Sequence, residues 1–67
     1  MLTITINGVE EVLEKSVTVQ GLLHHLNLPD DKIAVEHNGE IIPRSTYSVT
    51  WLESGDNIEV VHFVGGG

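Results

Sequence analysis

The chain contains no cysteine. That excludes disulfides and every thiolate metal site. A domain of 67 residues often relies on such staples. Here core packing must hold the fold, and a hydrophobic fraction of 40% supplies the material. Cations are almost as scarce. Lys15, Lys32 and Arg44 stand against ten acidic residues, for a net charge of −7. Phosphate contacts need clustered Lys and Arg, so the composition argues against nucleic acid and against an anionic membrane. A partner with a basic face is the natural complement, although solubility alone also accounts for the acidity. No apolar run approaches the ~18 residues of a membrane-spanning helix. The start, Met1-Leu2-Thr3-Ile4, has no basic region of a signal peptide. A cytoplasmic protein is the expectation. No serine sits in a recognisable nucleophile motif.

What is present begins with alternation. Leu2, Ile4 and Ile6 alternate with Thr3 and Thr5, the pattern of a strand with one apolar face. Asn7-Gly8 then signals a tight hairpin, because a type I′ turn needs positive φ at both central residues. Residues 9 to 14 form the returning strand. Its alternation breaks at Glu10-Glu11, where a bulge is expected. Thr18 reads as a helix N-cap. Val19, Leu22, Leu23 and Leu26 follow at helical spacing and predict a helix over 19–26. Asn27 suits a left-handed position after the helix, Leu28 folds back on the stripe, and Pro29 prevents continuation. Gly21 inside this helix either permits close approach to a sheet or weakens the helix, by up to ~1 kcal/mol relative to Ala.

Ile33 to His37 is the third strand. Asn38-Gly39 is a second hairpin signal, and Glu40-Ile41-Ile42 returns until Pro43 stops it, as an edge strand permits. Residues 44 to 52 lack a firm period and read as an irregular cover over the core with one helical turn. Tyr47 and Trp51 are expected in the core or half-buried. Ile58 to Val64 is the last strand. Glu10, Glu11 and Glu14 read as a solvated strand surface.

Length allows one domain, residues 1–64, followed by a tail, 65–67. One helix across one mixed sheet is the economical way to bury a single helical stripe and several one-sided strands. The expected class is α+β: a β-grasp, or ubiquitin-like, arrangement with four to five strands and one main helix on one face.

The tail is Gly65-Gly66-Gly67, flush against the last apolar run. Glycine has no Cβ, so such a tail is thin, and it can adopt angles other residues avoid. Its terminal carbonyl carbon is unhindered. If the chain does chemistry, its own end is the best candidate for the reacting group. No metal site is expected. His24 and His25 are adjacent and point about 100° apart on a helix, and the i, i+4 spacing of a two-His site is missing. His37 and His62 lie on predicted strands with no acidic partner in view.

Asn38-Gly39-Glu40-Ile41-Ile42-Pro43-Arg44, then Gly55-Asp56, then Val60 to Gly67, resembles the ThiS family of sulfur carriers in thiamin biosynthesis. The resemblance spans nearly the whole chain, in length, element order and both ends. The tail alone is less specific, since molybdopterin synthase small subunits and ubiquitin-like modifiers share it. The resemblance implies that an E1-like, ThiF-like adenylyltransferase uses ATP to turn the Gly67 carboxylate into an acyl-adenylate. Sulfur from a donor enzyme then gives a thiocarboxylate, which a ThiG-like thiazole synthase consumes. ATP belongs to the partner, because no phosphate-cradling Gly-x-x-x-x-Gly-Lys motif occurs in this chain. No cofactor is expected to bind the chain, and no catalytic side chain is expected either. The family pattern has a terminal Gly-Gly, which Gly66 and Gly67 match, and Gly65 lengthens the arm. Other readings are a carrier for molybdopterin or amino-acid sulfuration, a ubiquitin-like modifier, or an inert interaction module.

On the last strand, Ile58 and Val60 share one face while Val61 and Phe63 share the other. With one helix to cover the sheet, Val61, Phe63 and Val64 are expected on a docking patch beside the tail. Arg44 either contacts an acidic partner group or pairs with a nearby carboxylate.

Overall fold

The computed structural model describes residues 1–29 and 31–62. Strands β1 (Leu2–Ile6), β2 (Val9–Leu13), β3 (Ile33–His37), β4 (Glu40–Ile41) and β5 (Asn57–His62) form one sheet. Their order is β2-β1-β5-β3-β4. Only β1 and β5 run parallel, and the other neighbours are antiparallel. One helix, α1 (Val19–His25), joins β2 to β3. This is the expected β-grasp arrangement, with the last strand placed centrally.

The pleat sorts side chains by face. Leu2, Ile4, Ile6, Ile33, Val35 and Ile58 are buried toward α1, where Val19, Leu22 and Leu23 are fully covered. Burial of these side chains is the main favourable contribution, at about 1.5–3 kcal/mol for each large one. Tyr47 and Leu52 close the core from the irregular segment, which carries a 3-10 turn at Arg44–Thr46.

Both ends of α1 follow from local chemistry. The Thr18 hydroxyl accepts from the Gly21 N–H at 3.1 Å. The Val19 and Gln20 N–H groups donate to the carbonyls of Thr50 (2.9 Å) and Tyr47 (3.0 Å). The cover segment therefore satisfies donors that a helix leaves open at its start. At the other end Asn27 has φ 58. Asn27 N–H donates to the His24 carbonyl, and Leu28 N–H to the Leu23 carbonyl. That pair of bonds is a Schellman stop, with Leu28 packed back on the core. The helix ends at His25 and Leu26 is its cap, one residue short of the expected span.

Four expectations need correction. There is no bulge at Glu10-Glu11, because β2 pairs in unbroken register from Leu2↔Leu13 to Ile6↔Val9. As an edge strand β2 is exposed except at Leu13, so it has no need of strict alternation. It also ends at Leu13 rather than Glu14. Trp51 is 60% exposed rather than packed. Leu52 N–H donates to the Val17 carbonyl at 3.0 Å, and Thr18 bridges Trp51. Leu52 is thereby turned inward, and its extended neighbour faces out. Finally, β4 stops at Ile41, although Ile42 still packs against the core.

Gly21 resolves as well. A Cβ there would meet Thr18 Oγ1 and Val17 Cβ at 3.5 Å, ordinary contact distances. Close approach to the sheet is not what the glycine serves.

Candidate functional site

The expected reacting group and its arm, Gly65, Gly66 and Gly67, lie outside the described residues. So do Phe63 and Val64. The site can be built up to His62, the last residue of β5.

Strand β5 carries the tail, and its surroundings follow from topology. Since β1 runs parallel to β5, the Asn7-Gly8 hairpin lies at the end of the sheet where β5 finishes. Strand β4 also runs in the direction of β5, because both are antiparallel to β3. The chain leaving β4 therefore carries Arg44 toward that same end. Arg44 is exposed and starts the 3-10 turn. The Asn38-Gly39 hairpin lies at the opposite end, beside the start of β5.

The two faces of β5 divide as the alternation predicts. Ile58 is fully buried and Val60 is partly buried on the helix side. Val61 is 51% exposed on the open face. It sits opposite Ala34, and the next pair along that face is Glu59 opposite Glu36. Ile41, 74% exposed, stands beside Glu36 on β4. The open face next to the tail is thus apolar with two facing carboxylates. Like charges directly across a sheet repel, which a cation from outside would relieve.

Two hydrogen-bonded clusters hold β5, and sequence reasoning missed both. At its end, Val60 N–H donates to Asn7 Oδ1 at 2.8 Å, and Asn7 Nδ2 donates to the Val60 carbonyl at 3.2 Å. At its start, Asn57 N–H donates to Asn38 Oδ1 at 2.8 Å. Asn38 Nδ2 donates to Asp56 Oδ1 at 3.1 Å. Asp56 is buried, and its Oδ2 also meets His37 Nε2 at 2.7 Å and the Glu53 N–H at 2.8 Å. Burial pushes the Asp56 carboxyl up. The hydrogen bonds from Glu53, His37 and Asn38, with the nearby His37 charge, outweigh it and hold the group below its ordinary value. His37 therefore has the acidic partner that the sequence did not reveal. The Asn-Gly pairs were legible as turns, but their long-range partners were not.

His24, His25 and His62 are exposed. Among the described residues no three His, Asp or Glu side chains gather as a metal site. No helix of the described residues is long and apolar enough to cross a membrane.

Comparison with known proteins agrees with this architecture. The ThiS family model matches residues 3–67. The sulfur carrier protein ThiS of Bacillus subtilis is 41% identical over 63 residues, covering 92% of this chain and 96% of that one. A thiazole synthase of Paramagnetospirillum magneticum is 42% identical over 66 residues. That match takes in 98% of this chain, which spans only 20% of the synthase. The crystal structure of a thiamine biosynthesis protein (ThiS) from Geobacter metallireducens superposes with a TM-score of 0.85 at 32% identity. It covers 98% of this chain and 100% of that chain. With the β-grasp sheet, the central last strand and a family match running through the terminal glycines, the chain belongs to the ThiS family.

Proposed function

We propose that this chain carries sulfur for thiazole formation as a thiocarboxylate on Gly67, and that it acts as a co-substrate of partner enzymes rather than as an enzyme. The observation that carries the reading is the ThiS family match through residue 67, on a scaffold whose central strand leads into the glycine tail. The chemistry suits such a chain. A carboxylate is a poor electrophile. Attack of a Gly67 carboxylate oxygen on the α-phosphorus of ATP, with loss of pyrophosphate, makes it an acyl-adenylate. The outer sulfur of a donor enzyme's persulfide then adds to the carbonyl carbon, and AMP leaves. A thiol attacks the donor-side sulfur of the acyl disulfide, forming a disulfide and releasing the sulfur on the chain. The resulting thiocarboxylate is ionised at neutral pH and needs no neighbouring base. The adenylating partner is E1-like and binds the ATP, and the chain itself binds no cofactor.

The thiazole synthase relative supports a ThiG-like enzyme as the consumer, since 20% of that protein is similar to 98% of this chain. Docking is proposed on the open face of β5 at Val61, with Arg44 at the same end and with Phe63 and Val64, outside the described residues, as further expected contacts. The facing Glu36 and Glu59 favour a partner surface with a basic group among apolar ones.

The test is mass spectrometry of the protein incubated with its adenylating partner, ATP and a sulfur donor. Sulfur in place of one terminal oxygen is expected, and it is lost when Gly67 is deleted. An unmodified end in the wild type, or full activity without Gly67, overturns the proposal. In the same system Phe63→Ala leaves the fold intact and weakens binding of the adenylating partner about tenfold, as loss of a buried aromatic anchor does. Unchanged affinity removes the docking assignment.

A further inference from the structure

We infer that Asn7 is a positioning residue for the reactive end, because its side-chain amide locks the last part of β5 on the side that the sheet leaves open. The inference rests on the reading of Gly67 as the reacting group.

Strand β5 has two hydrogen-bonding edges. On one, β3 pairs with it continuously from Ile58 to His62. On the other, β1 pairs only as far as Ile58. The rungs on that side run Thr5 N–H to the Asp56 carbonyl (3.0 Å), then Asn7 N–H to the Ile58 carbonyl (2.9 Å). The next groups in the row belong to Val60, but β1 has by then turned away at Asn7-Gly8. The Asn7 side chain fills the gap. Its Oδ1 accepts from the Val60 N–H and its Nδ2 donates to the Val60 carbonyl. A carboxamide offers the same donor and acceptor as a peptide group, so it stands in for the missing rung.

Three demands meet at this position. The backbone sits at φ 49, which favours Asn, Asp or Gly. The acceptor is required by the Val60 N–H, and the donor by the Val60 carbonyl. Glycine meets the first demand alone, and aspartate lacks the donor. Only asparagine meets all three. The turn by itself does not call for the two side-chain bonds.

Val60 stands seven residues before Gly67. The end of a tethered arm reaches a partner's active centre with an effective concentration set by where its base is held. If β5 frayed from Val60 onward, the arm would start from a distribution of points, and fewer encounters would place the carboxylate against the α-phosphorus. Asn7 narrows that distribution without touching the reacting atoms.

The Asn38 cluster provides the control, since it holds the start of the same strand, away from the tail. Asn7→Gly and Asn38→Gly both keep a residue that tolerates positive φ, so both hairpins survive. Amide hydrogen exchange is measured on the isolated full chain. Steady-state kinetics of ATP-dependent activation by the adenylating partner are then compared. In Asn7→Gly the Val60 amide is expected to exchange about tenfold faster or more. Its kcat for activation falls about tenfold while KM for the carrier stays near the wild-type value. Asn38→Gly loses global stability yet keeps both Val60 protection and kcat. Asn7→Asp, which retains the acceptor, falls between and serves in both arms should Asn7→Gly fail to fold. Equal Val60 protection in wild type and the Asn7 variants overturns the inference, and so does an equal kcat for the Asn7 and Asn38 variants. If the wild type is not activated at all, the reading of Gly67 fails separately. The exchange result still decides whether Asn7 holds β5.

Discussion

Asn7-Gly8 and Asn38-Gly39 close hairpins at opposite ends of one sheet with nearly the same backbone, φ 49 and 83 against 52 and 87. As turns they are interchangeable. As clamps on β5 they are not. Asn7 meets two neutral backbone groups of Val60, at the end from which the tail departs. Asn38 belongs to a charged cluster centred on the buried Asp56, at the end where β5 begins. The same dipeptide therefore contributes local geometry twice and long-range fixation in two chemistries. One lies near the end of β5 and the other at its start.

The largest expected effect separates these chemistries at Asp56. Replacing it with alanine leaves Glu53 N–H, Asn38 Nδ2 and His37 Nε2 without their acceptor. A loss of about 3 kcal/mol is expected in denaturant unfolding, given what hydrogen bonds to a buried charge contribute. Removing the Asn7 amide costs about 1 kcal/mol on the same scale. Equal losses for the two clamps would erase the distinction.

Acid provides a second, smaller lever. The Asp56 carboxyl has its folded pKa held below the ordinary value of 3.8. Its contribution is fully present above that value and is lost as pH falls through the lower folded one. The Asn7 pair is neutral and has no such dependence. Hydrogen exchange near pH 3 should therefore loosen Asn57 before Val60. Val60 opening first would contradict the assignment.

The smallest effect concerns the turns alone. A Cβ added at Gly8 or Gly39 meets nothing within 4 Å, so only the positive φ opposes it. Gly8→Ala and Gly39→Ala should each cost about 1 kcal/mol in thermal or denaturant unfolding. Clearly unequal costs would mean that the turns themselves differ, not only the reach of their asparagines.

Much of this protein is legible in its local sequence signals. The alternation of Leu2, Ile4 and Ile6, the Thr18 cap, the Asn27-Leu28-Pro29 stop and both Asn-Gly turns are local signals, and each appears where it was expected. Val61 on the open face follows from the same period of two. What failed depended on neighbours. The broken alternation of β2 means an edge strand rather than a bulge, which only the strand order reveals. Trp51 is exposed because Leu52, tied to Val17, takes the inward position.

The elements, the turn chemistry, the acidic and cysteine-free character and the run of glycines follow from the sequence alone. These depend on backbone angles and short-range periodicity, which adjacent residues encode. That Asn7 and Asn38 reach across to β5, and that His37 meets Asp56, emerges only in the folded chain. Those contacts join residues 18 to 53 positions apart. Which distant groups meet is fixed by strand order and register, and neither is written in any local stretch of the chain.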